Sequence, residues 1–235
     1  MREAALSWLG RDPLLHVCMT ECIRRGRAEI LYSGNDGVLL RDPEGKFLAA
    51  SFESPDALRP RMPMLHQKGF DLLLHQQFAL EMAGAQLPEL TFCMHCYHSV
   101  YTKKEPLHAA LPEGMHMERL TLRHAGQVAE VYTHASADYV TECIRAGLML
   151  GAFCGGELAG FIGQHVEGAQ GLLEVLPAYR RRGLASALMA ASINAALDRG
   201  ETPFGQIITD NEASLALSRS LGLEISAGVA HWLFC

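Results

Sequence analysis

Little in this chain ties it to a membrane. Its 235 residues hold no uninterrupted apolar run of spanning length; the longest candidate, around Leu148 to Ile162, is broken by glycines and by Glu157. The N-terminus carries acids and lacks an apolar core segment, so no secretory leader is expected and a cytoplasmic location follows. Positive charge is also short: the formal net charge of −6 gives no general attraction to nucleic acid, and no aromatic-plus-basic groove is apparent. Cysteine does not supply a disulfide framework, because the seven present are odd in number and scattered, which suits free thiols in a reducing compartment. Neither the G-x-x-x-x-G-K-[ST] loop nor a G-x-G-x-x-G after a strand occurs. No Ser/Cys–His–Asp arrangement has a local signature, and the eleven histidines are dispersed.

What is present is the stretch from Glu174 to Ala185. Gly171 to Val175 is a short apolar run bounded by glycines and a proline, which reads as a buried strand. Leu184 to Asp198 is dense in Ala, Leu and Met without Gly or Pro, which reads as a helix. Between them stand Arg180, Arg181, Arg182 and Gly183. The free N–H groups of a helix start, its dipole, a glycine that admits a close approach and permanent cationic forks together make an anion site for a phosphate or pyrophosphate.

The pattern Arg180-x-x-Gly183-x-Ala185, preceded by Val175-x-Pro177-x-Tyr179, resembles the pyrophosphate-gripping signature of the GNAT N-acetyltransferase superfamily. The resemblance implies an α/β (α+β) fold: a mixed, mostly antiparallel sheet with splayed central strands. It implies acetyl-CoA as acyl donor and direct attack by an amine on the thioester. Arg180, Arg181, Arg182, Gly183, Leu184, Ala185 and Ser186 would hold the cofactor. Asn211, with Ser214 in the same segment, matches the family asparagine on the pantetheine arm. The oxyanion donor maps to the backbone N–H of Val175 or Leu176. Seven residues beyond Asn211, where the family often has a tyrosine that protonates the departing thiolate, this chain has Ser218.

For the base, Glu174 is the candidate: it alternates with Leu172 and Leu176 in an apolar strand, where desolvation would raise a carboxyl pKa. A structural carboxylate beside the strand is the competing reading. His165 is the second candidate base, set against a loop histidine lying on the surface.

The rest of the chain suits this frame. Arg2 to Arg25 reads as helical with a break at Gly10 to Pro13. Strands are expected over Ala28–Ser33, Gly37–Arg41 and Lys46–Phe52, a loop over the proline-rich Ser54–Pro63, a helix over Phe70–Met82 capped by Gly84, and a strand over Leu90–Thr102. From Met117 the expected order is β-αα-β-β-β-α-β-α-β, the GNAT order, ending with Ile225–Phe234. Thr20-Glu21-Cys22-Ile23-Arg24-x-Gly26 recurs as Thr141-Glu142-Cys143-Ile144-Arg145-x-Gly147. Residues 1–110 are therefore read as a degenerate GNAT-like half without a basic turn, and 115–235 as the acyl-CoA-binding catalytic domain. Tandem halves resemble the glycine N-acyltransferase branch.

Cys93-x-x-Cys96-x-His98 invites a zinc reading, but strand alternation sends the two cysteines to opposite faces and no second pair is placed near them, so no metal is expected. The expected function is N-acetyl transfer to a small or amino-acid-like amine, with no nucleic-acid or membrane partner; a homodimer is compatible with it. The alternative is a CoA-binding regulatory module with little or no activity.

Overall fold

The computed structural model describes residues 1–90 and 92–234. Thr91, inside the strand expected over Leu90–Thr102, and Cys235, the last cysteine, lie outside the described residues. Two compact units emerge, and they do not follow the chain as two consecutive pieces. One comprises Met1–Val100, Gln206–Leu215 and Glu224–Cys235; the other comprises Tyr101–Gly205 and Ala216–Leu223.

The first unit opens with α1 (Arg2–Leu9) and α2 (Val17–Arg24), separated at the expected break. Strands β1 (Glu29–Gly34), β2 (Gly37–Asp42) and β3 (Phe47–Phe52) follow as an antiparallel meander. The proline-rich stretch is not a plain loop: α3 (Pro55–Leu58), a 3-10 turn at Arg59–Arg61 and α4 (Met62–Leu65) occupy it. Each of these turns carries its proline at one of the first two positions, where the missing N–H would have no partner anyway.

The helix expected over Phe70–Met82 is also corrected. Its first part is β4 (Asp71–Leu74), and α5 (Gln77–Gln86) begins only afterwards, with Gly84 inside it rather than capping it. Leu72, Leu73 and Leu74 are all fully buried because β4 has a neighbour on each side, parallel β3 and antiparallel β12 (Ala230–Phe234). A doubly flanked, covered strand shows a continuous apolar run, which periodicity does not separate from a helix. The unit's strand order is β1-β2-β3-β4-β12-β5, where β5 is Phe92–Val100, and the short β11 (Glu224–Ile225) pairs with β5. Its core gathers Leu39, Leu48, Phe52, Leu58, Leu72, Leu74 and Leu233.

The second unit runs β6 (Met115–Arg119), α6 (Ala125–Val131), α7 (Ala137–Arg145), β7 (Met149–Cys154), β8 (Glu157–Gln164), β9 (Gln170–Val175) and α8 (Leu184–Asp198). β6, β7, β8 and β9 are successive antiparallel neighbours. The boundary between units falls within β10 (Phe204–Ile208), whose Gly205 pairs parallel with Gln170 of β9, and again within α9 (Glu212–Ser220).

In both units a pair of helices is followed by three successive antiparallel strands and a strand parallel to the last of them, β1–β4 in one and β7–β10 in the other, and the repeated heptad makes the same local structure in each. Arg27 N–H reaches Cys22 O at 3.1 Å and Gly26 N–H reaches Ile23 O at 3.1 Å; Leu148 reaches Cys143 O at 3.0 Å and Gly147 reaches Ile144 O at 2.9 Å. Gly26 and Gly147 sit at φ 74 and 71. These are two Schellman caps, each needing glycine in the left-handed region.

Candidate functional site

The basic turn forms where expected. β9 ends at Val175, a 3-10 turn spans Pro177–Tyr179, and α8 begins at Leu184 with Gly183 as its N-cap residue. Gly183 adopts φ 84 and Arg181 φ 65, so the chain turns through two left-handed residues just before the helix. No side chain caps α8, and no acid stands in its first turn. The first intrahelical bond is Ala187 N–H to Gly183 O at 3.1 Å, which leaves the N–H groups of Leu184, Ala185 and Ser186 as the helix's open donors. A Cβ at Gly183 would meet nothing within 4 Å, so the space beside the glycine is open. Arg181 and Arg182 are exposed beside it, Arg182 lying 6.0 Å from the Tyr179 ring centre. Open amides, a positive helix end and two free-standing guanidinium groups fit a pyrophosphate.

Arg180 differs from its neighbours. Its Nε donates to Val175 O at 2.9 Å and its Nη2 to Glu174 Oε1 at 3.1 Å, so the side chain is folded back onto β9. Glu174 is correspondingly not the desolvated carboxylate expected: it is paired, and its side chain is 25% exposed. Alternation along β9 is kept, Leu172 and Leu176 packing with Val128 and Phe161 while Leu173 and Val175 pack with Leu184 and Leu188. Leu172 sits at φ 48, opposite an irregularity between Phe161 and Gly163 of β8, and its side chain is buried.

Of the two oxyanion candidates, the Leu176 amide is committed, donating to Ala159 O at 2.9 Å. Successive strand amides point to opposite edges, so the Val175 N–H is directed away from β8, toward the edge where Gly205 of β10 pairs with β9. His165 is half-buried rather than lying free on the surface: its Nδ1 is 2.7 Å from the Tyr139 hydroxyl, whose pKa burial pushes up.

Asn211 caps α9, its Oδ1 accepting the Ser214 N–H at 3.0 Å, and the residue is exposed, so the carboxamide NH2 remains a candidate donor. Ser218 lies in α9 at 1% exposure.

One constellation in the first unit escapes a sequence reading. His75, His95 and His231, with Gln77, Thr209 and Val229, line a cleft of about 500 Å³. These residues come from the end of β4, the start of α5, β5, the end of β10 and β12. Their separations along the chain hide them; the only local cue is the register that puts His231 opposite both Leu74 and His95. Cys93 Sγ lies 3.8 Å from His95 Nδ1, while Cys96 is buried. Among the described residues no group of three His, Cys, Asp or Glu is arranged to hold a metal ion.

Comparison with known proteins agrees with this architecture. Residues 116–223 match the family described as Acetyltransferase (GNAT) family. No curated protein matches the chain. Among solved structures, an X-ray structure of a Drosophila protein aligns with TM-score 0.66 and 22% identity over 84% of this chain and 73% of that one. A GCN5-related N-acetyltransferase-like protein from Streptococcus suis gives 0.54 and 18% identity over 100% of each chain. A tandem GNAT protein from the clavulanic acid biosynthesis pathway gives 0.50 and 17% identity over 99% of this chain and 93% of that one. At such identities the likeness establishes the fold, a mixed α/β GNAT fold with a mostly antiparallel open sheet. Among the described residues no helix is long and apolar enough to cross a membrane.

Proposed function

We propose, from the premise that residues 116–223 carry a GNAT acetyltransferase family domain, that the protein transfers an acetyl group from acetyl-CoA to a primary amine by direct attack. The observation that carries this reading is the turn Arg180–Gly183, whose left-handed glycine opens onto uncapped amides of α8. In this reading Arg181, Arg182 and the N–H groups of Leu184, Ala185 and Ser186 hold the pyrophosphate, and Arg180 keeps the turn folded on β9. Asn211 Nδ2 holds the pantetheine arm. The amine nitrogen forms the new C–N bond while negative charge grows on the thioester oxygen, which the Val175 N–H meets. Such a donor is worth about 10²–10³ in rate when preorganised. Glu174 takes the proton lost by nitrogen, and the C–S bond breaks to release CoA. We further propose that residues 115–235 are the acyl-CoA domain and that 1–110, lacking a basic turn, shape the acceptor side, as in the glycine N-acyltransferase branch, in a cytoplasmic setting.

A second reading, a CoA-binding module without efficient chemistry, draws on Ser218: a serine hydroxyl is a poor acid for the thiolate, and this one is buried. Thiol release separates the two. With acetyl-CoA and a panel of amines, free thiol should rise above the rate without amine; cofactor binding with no amine-dependent release would leave the module reading in place. Saturating CoA at 100 times Kd should stabilise the protein by about 2.7 kcal/mol. Replacing Arg181 and Arg182 together by Ala should abolish that shift, and an unchanged shift would remove the turn as the site.

A further inference from the structure

The first arginine of the basic turn is built in differently from the other two. Pro177 opens the 3-10 turn, Tyr179 N–H closes it on Leu176 O at 2.9 Å, and the chain doubles back to lay Arg180 beside the end of β9. There its Nε donates to Val175 O at 2.9 Å and its Nη2 to Glu174 Oε1 at 3.1 Å. Nε and Nη2 are the side-on edge of the guanidinium fork, so one rigid plane spans a main-chain carbonyl and a carboxylate. The carbonyl cannot move without the strand, so it anchors the fork. The carboxylate ends a flexible side chain, and it is the group being placed. Arg181 and Arg182 are exposed and have no acidic partner among the described residues.

Glu174 shares its face of β9 with Leu172 and Leu176, the face covered by α6 and α7, whereas α8 packs on Leu173 and Val175. Phe161 is its cross-strand partner, and Tyr132, at the end of α6, meets the Phe161 ring edge-on at 6.2 Å. Arg180 from the turn and Tyr132 from the end of α6 are the charged and titratable groups facing the carboxylate. Burial, then Glu174 and Cys143, raise the Tyr132 pKa, so the phenol is neutral and Arg180 supplies the counter-charge.

Glu174 Oε2 has no protein donor among the described residues, and the side chain is 25% exposed, so a substrate can reach it. A guanidinium beside a carboxyl favours the ionised form, the form able to take a proton. An exposed ion pair adds little to stability, but misplacing a reacting group by about 1 Å costs about 10² in rate. The geometry of this pair therefore matters more to chemistry than to the fold.

We propose that Arg180 is a positioning residue for acyl transfer: anchored on the Val175 carbonyl, it holds Glu174 by Oε1 and leaves Oε2 free to take the proton of the attacking amine. The inference rests on the acyl-transfer reading, and it moves the first arginine of the signature from holding the cofactor to aligning the base.

The test compares Arg180→Ala and Arg180→Lys with the parent in the thiol-release assay, with CoA affinity read separately by titration. Arg180→Ala should lower kcat by about 10²-fold and leave the Kd for CoA within about twofold of the parent's. The acid limb of its kcat–pH profile should move to higher pH, because a carboxylate stripped of its cation holds a proton more tightly. The ammonium of Arg180→Lys can meet only one of the two partners at a time. That variant should recover part of kcat and bring the limb back toward the parent's, and it carries the comparison alone should the alanine variant not fold. Added to Glu174→Gln, Arg180→Ala should cost little more, since both act through one group.

A Kd for CoA weakened as far as by replacing Arg181 and Arg182, with kcat kept, would overturn the proposal and make Arg180 a cofactor ligand. Losses that add in full across Glu174 and Arg180 would overturn it too. An active parent whose kcat is indifferent to residue 180 loses the positioning role and keeps the acyl-transfer reading. A parent that binds CoA and releases no thiol with any amine loses both.

Discussion

Neutral histidine is an uncharged ring with one donor and one acceptor, and burial favours that state. His98 is 0% exposed, and burial pushes its pKa down to about 4; His75 moves the same way for the same first cause. The unfolded chain would protonate both near the ordinary imidazole value of 6.5. Below that pH the unfolded state takes up protons that the folded state refuses, so stability falls as pH falls. The loss for His98 runs from about 6.5 down to about 4 and then stops, because both states are charged. Above 6.5 this source contributes no slope. The steepest part approaches about 1.4 kcal/mol per pH unit for each such histidine. Melting curves at pH 7.5, 6 and 5 should show a falling Tm that flattens at the alkaline end; an unchanged Tm across that range would mean the rings are not buried neutral.

At the scale of elements, what lay within a few residues was readable and what depended on distant partners was not. The helix Leu184–Asp198 and the turn before it were legible because glycine, arginine and an Ala/Leu-rich run act locally. The heptad repeat was legible because each copy encodes its own Schellman cap. β4 was misread because only strands on both sides explain three consecutive buried leucines. The Arg180–Glu174 pair was not legible, because it forms only when the turn folds Arg180 back onto β9. The histidine cleft was invisible, since five separate elements supply its lining.

The turn itself gives a sharp test. Gly183 sits at φ 84 with open space where a Cβ would go, so Gly183→Ala meets no clash and only a backbone penalty, about 1–2 kcal/mol. A ligand that approaches the backbone at Gly183 would meet the new methyl. The variant should lose stability by about that amount and lose CoA affinity by more than its stability loss explains, as read by unfolding and by CoA titration. Equal CoA affinity in parent and variant would show that the ligand does not approach the glycine.

At the scale of the whole molecule, the last strand belongs with the first hundred residues. β4 and β5 are not neighbours: β12 lies between them, pairing His231↔Leu74, Trp232↔Leu73 and Leu233↔Leu72 on one side and Ala230↔Cys96 through Phe234↔Phe92 on the other. Trp232 also meets Phe47 edge-on at 5.3 Å, and Leu233 joins the first unit's core. A fragment of residues 1–110 would therefore lack the strand that joins β4 to β5, leaving two facing edges of unpaired N–H and C=O groups and an opened core. Such edges recruit other chains. The fragment should be unfolded or aggregated, with no cooperative melt by circular dichroism, whereas the full chain melts cooperatively. Adding a peptide of residues 224–235 should restore strand signal and a melting transition by filling the gap. If residues 1–110 fold alone to a monomer with a sharp transition, β4 and β5 can close on each other, and β12 is an addition to that unit rather than part of its foundation.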